Sequence, residues 1–517
     1  MTKIMYIPVD ERPCNYLYPQ NLVEGNGQIE MIVPPTALLG VKKVPANVEM
    51  LWNWINENIS GCDYMVVSID MLIYGGIVPS RLHYMTKEQC ESLIMRLAAL
   101  KRSNPSLTIY AFNLIMRVPT YNSSEEEPDY YGQYGERIFK YGWLYDMLQR
   151  GRAMAGEAEL LESIKKEIPE DVLEDYTGRR KVNSYVNARI VELSKAGIID
   201  FLVLPLDDCS EYGFSANEQL NVLKYVDQHT LHDRIYLYPG ADEVGCSLTT
   251  RVLNTIYDTT PKMFIRYSST IGPNIIPICE DRPLGESIKS QIMAAGGIPV
   301  DNSADADIVL MVNSPTQNAE NMGDARISKD PSCYSMRNLR EFAAAIQYYS
   351  EQNKRVAVAD VAFCNGSDDE LMRVLSRKGV LSKLYSYAGW NTSGNTLGTA
   401  ISDAIANLFR ESTVSGGTNE SVAERLLIAR LVEDWGYQAI VRQSIWKQLE
   451  DSSYKALEPG QLTTEEAHAW ASQLAEEELN KFINDYIPEY KDRYLVKKVY
   501  FPWRRLFEVG FSIAIKS

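Results

Sequence analysis

Histidine is scarce in this chain, with four among 517 residues: His83, His229, His232 and His468. His229 and His232 close a helical stretch with no ligand partner at metal-binding spacing, which argues against a histidine-based zinc site. The eight cysteines, at 14, 62, 90, 209, 246, 279, 333 and 364, include no Cys-x-x-Cys pair. They read as reduced thiols packed as small hydrophobes. No apolar run approaches the roughly 18 residues of a membrane span. Met1-Thr2-Lys3 leads directly into the strand-like Ile4-Met5-Tyr6-Ile7, too short for a secretory apolar region, so the expected location is the cytoplasm. A basic stripe is missing too: net charge is −16, and Lys354-Arg355 and Arg504-Arg505 are isolated pairs. Polyanion binding needs Lys and Arg to displace counterions from phosphates, so nucleic acid is an unexpected partner, as is an anionic membrane surface. No Gly-x-Ser-x-Gly elbow and no Gly-x-x-x-x-Gly-Lys-Ser/Thr loop occurs. Gly296-Gly297 and Gly416-Gly417 do not lead a strand into a helix as dinucleotide-binding glycines do.

What is present is a rhythm of apolar runs and amphipathic stretches. The runs Lys3–Val9, Ile29–Val33, Tyr64–Ile69, Leu107–Leu114, Phe201–Leu206, Arg234–Tyr238 and Lys262–Tyr267 alternate with helical sequence such as Asn47–Asn58, Lys87–Lys101, Ala216–Gln228 and Ser247–Tyr257. Several runs are apolar at almost every position, as a strand buried on both faces requires, and this predicts a parallel sheet. The fold class is therefore α/β, with a barrel-like or Rossmann-like unit over 1–270. Residues 120–199 interrupt it with a Tyr-rich polar stretch, Tyr121–Tyr134, and then helical sequence, expected to form a lid or a subunit contact. A flavodoxin-like α/β unit is expected over 271–415, with strands at Asp307–Val312, Arg355–Ala359 and Leu384–Tyr387. Ser415-Gly416-Gly417 reads as a linker. The remainder, 416–517, is expected to be mostly helical over Ser421–Glu450 and Glu465–Asn484, the latter opened by a Thr463/Glu466 capping box. An extended tail follows Tyr494.

Ligands of parallel α/β folds bind beyond the carboxyl ends of strands. Asp10, Arg12 and Asn15 follow the first run, Asp70 the third, Asn113 and Arg117 the fourth, Asp207 and Asp208 the fifth, and Asp242 and Glu243 the sixth. A single Asp after a strand can simply cap the next helix. Four acids that each terminate an apolar strand are harder to explain by capping. Asp207-Asp208, with Glu211 nearby, crowds three carboxylates; their repulsion raises at least one pKa and provides the acid and base halves of proton transfer. Trp390-Asn391 joins an aromatic face to an amide, a combination suited to sugars, although a turn followed by an N-cap explains it equally. An all-oxygen site for Mg²⁺ or Mn²⁺ from Asp10, Asp70 and Asp242 is a further reading.

Tyr6-Ile7-Pro8-Val9-Asp10-Glu11-Arg12-Pro13-Cys14-Asn15, together with Tyr387-Ala388-Gly389-Trp390-Asn391-Thr392 and Gly394-Asn395-Thr396-Leu397-Gly398, resembles the bacterial domain-of-unknown-function family 4127, from the first strand to the tail. That resemblance supplies no reaction. Asp207-Asp208 at a strand end also resembles the acidic pair of hexosaminidase-type barrels, where one acid orients an acetamido group and the other protonates the leaving oxygen.

The expected function is acid/base hydrolysis of a small glycoside or amino sugar. Asp207 and Asp208 form the pair and Glu243 is the reserve acid, without a required cofactor. Asp10, Arg12, Asn15, Asp70, Asn113, Arg117, Asp242, Trp390 and Asn391 are expected to hold the substrate. Alternatives are a metal-dependent hydrolase with an all-carboxylate site and a non-catalytic metabolite-binding protein. Oligomeric state is not encoded in these patterns.

Overall fold

The computed structural model describes residues 1–316, 329–413, 418–456 and 459–516. The linker expected at Ser415-Gly416-Gly417 lies outside the described residues. Two compact units emerge. The first comprises Met1–Gln20, Gly27–Thr249 and Cys279–Arg282, and the second Asn21–Asn26, Thr250–Ile278 and Pro283–Ser517.

The first unit holds six strands: β1 (Thr2–Ile7), β2 (Ile29–Ile32), β3 (Tyr64–Ser68), β4 (Thr108–Phe112), β5 (Phe201–Leu206) and β6 (Ile235–Pro239). All are parallel, in the order β2-β1-β3-β4-β5-β6. This order reverses direction at β1/β3, which is doubly wound topology; a barrel would pair its strands consecutively. All six residues of β5 are buried, as its unbroken apolar sequence predicts. Pro205 lies past Val203, the last β5 residue in the regular ladder with β4, so its missing N–H interrupts none of those bonds. One core joins Met5, Ile7, Met65, Val67, Ile109, Leu202 and Leu204 to helices that include Val48–Asn58 and Lys87–Ser103. The expected insertion is three helices, Tyr131–Gln149, Glu157–Glu167 and Glu170–Lys195, with a core of their own around Tyr131, Ile138, Leu161 and Tyr176.

The second unit holds β7 (Lys262–Tyr267), β8 (Ile298–Val300), β9 (Ile308–Asn313), β10 (Arg355–Asp360) and β11 (Ser386–Ala388). They form a parallel sheet in the order β11-β10-β9-β7-β8. Counted from β7 this is 2-1-3-4-5, the flavodoxin-like order. Lys262–Tyr267, grouped by sequence with the N-terminal strands, instead pairs with β8 and β9. Alternating sequence reveals a strand but not which sheet receives it.

Helical sequence after 416 contains a departure. Thr418–Arg430 and Arg442–Glu450 are α-helical, but Leu431–Val441 between them is π-helical. The helix Glu465–Tyr486 is capped by Thr464, whose hydroxyl accepts from the Ala467 N–H, so the expected Thr463/Glu466 box does not form. The tail is an antiparallel pair, β12 (Tyr494–Tyr500) and β13 (Gly510–Ile515), and Phe507–Val509 lies between the two strands. Among the described residues no helix is long and apolar enough to cross a membrane.

Candidate functional site

At the carboxyl edge of the first sheet, β1 ends in a tight polar turn. The Arg12 guanidinium donates to Asp10 Oδ2 at 2.7 Å and to Asp242 Oδ1 at 2.5 Å, and Asn15 Nδ2 reaches both acids at 3.0 Å. Asp10 follows β1 and Asp242 follows β6, four strand positions apart. A flat sheet would separate those strands by about 19 Å at the usual spacing of about 4.8 Å. The edge is therefore drawn inward. Tyr6 agrees: its hydroxyl donates to the Asn15 carbonyl at 2.5 Å, and a Cβ added to Gly245 would meet that hydroxyl at 2.3 Å. Burial raises the Asp10 carboxyl above its ordinary range, opposed by Arg12. The guanidinium stands between the two carboxylates that an all-oxygen cation would need, so Asp10 and Asp242 serve Arg12 in this arrangement. Among the described residues no group of three or more His, Cys, Asp or Glu could hold a metal ion.

Asp70 follows β3 and forms a second cluster. Its Oδ2 accepts from the Leu114 N–H at 2.9 Å and from Asn113 Nδ2 at 3.2 Å. It does not cap the helix Ile69–Tyr74, a task taken by Ser68, whose hydroxyl accepts from Met71. Burial pushes the Asp70 carboxyl up to about 7, and the Asp207 charge adds to the rise.

The third cluster follows β5. Arg81 Nη2 pairs with Asp207 Oδ2 at 2.6 Å, and its Nη1 with Glu126 at 2.8 Å and Glu127 at 3.5 Å. Arg117 pairs with Glu126, Glu127 and Asp208 at 3.2, 2.8 and 3.3 Å. Two guanidinium groups, Arg81 buried and Arg117 nearly so, thus face four carboxylates. The imbalance shows at Asp208, which burial and then the Asp207 charge push up to about 6. Asp208 also has φ +30°, a backbone region that non-glycine residues seldom occupy. Its side chain is 28% exposed, against 11% for Asp207, so Asp208 is the acid of this pair most open to an incoming molecule. Glu211, expected to crowd the pair, is exposed. Ser215 does not cap the helix Phe214–His229; its hydroxyl donates to the Met116 carbonyl.

Glu243 is fully covered, and its Oε2 accepts from the Ala241 N–H at 2.9 Å. That bond ties the side chain to its own loop. Burial, with Asp242 adding to the rise, pushes it up to about 8. Asp10, Arg12, Asn15, Asp70 and Asn113 are each 5% exposed or less.

Trp390 and Asn391 belong to the second unit. The indole is 4% exposed and its Nε1 donates to Thr399 Oγ1 at 3.1 Å, so it offers no open stacking face. Asn391 has φ +54° and its carbonyl accepts from Asn365, which is turn duty.

Sequence reading missed Arg81, Glu126, Glu127 and a further network in the second unit. There Asp360 accepts from Asn313 Nδ2 and the Asp368 N–H at 2.8 and 2.7 Å, and Arg337 pairs with Asp368 at 2.9 Å. The π-helical Asp434 accepts from the Gly389 N–H at 2.8 Å. Burial pushes Asp360 up to about 6 and Asp434 up to about 7. Asp360 and Asp368 carried a strand-end signal; Arg337 and Asp434 carried none, because each is recruited from a distant helix or loop.

Comparison with curated proteins finds no match. A family model described as a protein of unknown function, DUF4127, matches residues 4–512, so the chain belongs to that family.

Proposed function

We propose that this protein is a small-molecule enzyme performing acid/base hydrolysis, with a glycoside or amino sugar as substrate, at the carboxyl edge of the first sheet. The observation that carries the reading is Asp208: strained at φ +30°, partly exposed and raised to about 6 beside Asp207, which is held by Arg81. Asp208 is the proton donor to a leaving oxygen. Asp207, paired with Arg81, raises the proton affinity of Asp208 and lies beside the reacting centre. Arg117 touches Asp208 and tunes its proton affinity downward, while Glu126 works in the opposite sense. Asp10, Arg12, Asn15, Asp70, Asn113 and Asp242 fix the loops that carry these groups, and Glu243 holds the β6 turn. The reading assigns the protein to the cytoplasm, with a small molecule as its partner.

A general acid must be protonated to act, so hydrolysis of alkyl glycosides and alkyl N-acetylaminoglycosides should fall as pH rises through about 6. A rate that is flat or rising across that range would remove Asp208 from the acid's role.

A further inference from the structure

The second unit contains a cavity of about 970 Å³ at the carboxyl end of β7, lined by Ser268, Ser269, Thr270, Arg337 and Arg340 among others. In the order β11-β10-β9-β7-β8 the chain changes direction at β7/β9, the kind of position at which open α/β sheets bind their ligands. A volume of this size suits a metabolite, not merely an ion.

The walls are rich in hydrogen-bond donors. The Asn338 N–H donates to the Ser268 carbonyl at 3.1 Å, tying the loop after β7 to the start of the helix Leu339–Glu351. Among the described residues, the backbone N–H groups of Ser269, Thr270, Leu339 and Arg340 donate to no protein acceptor. For Leu339 and Arg340 this is the ordinary state of a helix start, where the first N–H groups have no carbonyl ahead of them. For Ser269, 94% buried, it is not, because a buried amide almost always finds an acceptor. Arg337 is also 94% buried, and its Nε has no acceptor although Nη1 serves Asn313 and Asp368. The Arg340 side chain is exposed and, among the described residues, pairs with no acid. Arg266, also on the wall, is paired with Glu341. Arg337 is thus spent on Asn313 and Asp368 with its Nε covered, and the donors left to the cavity are the unused backbone N–H groups on two segments and the free Arg340 guanidinium, a set suited to an anion with several acceptor oxygens.

We propose that this cavity binds a phosphate-bearing small molecule, with the phosphate seated between the Ser269-Thr270 amides and the first turn of the helix Leu339–Glu351. Arg340 supplies the countercharge and the rest of the cavity receives the organic part. The acids on the wall, Glu341 and Glu370, are committed to Arg266 and Lys329 and leave Arg340 free for the ligand.

Isothermal titration of the full chain with inorganic phosphate and with glucose 6-phosphate, glucose serving as the uncharged control, tests the site. Both phosphates should bind, the sugar phosphate more tightly, and glucose should not. Arg340→Glu should weaken both by about tenfold or more while leaving the ligand-free melting temperature unchanged, since the residue is exposed. Arg340→Gln, which keeps the length and removes only the charge, should weaken them to a lesser degree and serves should the reversal fail to fold. Absence of binding by either phosphate overturns the proposal. So does an affinity that neither substitution changes, which would place the phosphate elsewhere on the chain.

Discussion

Arg81 and Asp207 are joined at 2.6 Å by a guanidinium whose side chain is only 2% exposed, and the same guanidinium holds Glu126 and Glu127. One cation therefore anchors the strand-end acid and the polar stretch Tyr121–Tyr134 to the same point. Removing a partner from such a pair leaves buried charge without compensation, at a typical cost of about 3–5 kcal/mol. Arg81→Met should accordingly lower unfolding free energy in urea by that order, and Glu126→Gln by much less, because Glu126 is the more exposed partner. Equal, small effects would make the network a surface feature.

Arg12 carries a parallel prediction. It separates Asp10 from Asp242, so Arg12→Ala should destabilise strongly, again by about 3–5 kcal/mol. Adding Asp242→Asn to Arg12→Ala should recover part of the loss by removing one of the two uncompensated acids. A double variant no more stable than the single one would show that packing, not charge, sets the cost.

Glu243 gives a pH signature. Its folded pKa of about 8 lies above the usual value near 4.5, so the folded state holds a proton that the unfolded state releases. Its contribution is greatest below about 4.5 and is lost progressively as pH rises toward 8. Melting temperatures measured between pH 5 and 9 should decline less steeply in Glu243→Gln than in the native chain. Superimposable profiles would mean that Glu243 is not protonated in the fold.

All eight cysteines are free in the structure, six of them buried. Thiol titration of unreduced, denatured protein should recover all eight. Markedly fewer would contradict reduced packing.

The strands were legible because a parallel sheet buries both faces, and runs such as Phe201–Leu206 record that directly. Strand-end acids were legible as well, since Asp10, Asp70 and Asp207 break apolar runs that would otherwise continue. Arg81 was not: it comes from the short helical turn Pro79–Arg81, and its pairing with three acids exists only in three dimensions. The cover over Trp390 was not legible, because composition cannot tell a covered indole from an open one. Leu431–Val441 looked α-helical because a widened turn preserves the apolar content while shifting its phase.

The central claim, that Asp208 donates a proton to a leaving oxygen, is tested most directly by varying the leaving group. Asp208→Asn is nearly isosteric and relieves repulsion from Asp207, so its melting temperature should be unchanged or slightly higher. Its turnover of alkyl glycosides should fall by about 10²–10⁴-fold, the usual contribution of acid–base assistance. Nitrophenyl glycosides, whose leaving groups need little protonation, should lose far less. An equal loss on both classes, or no loss on either with the fold intact, would contradict the assignment.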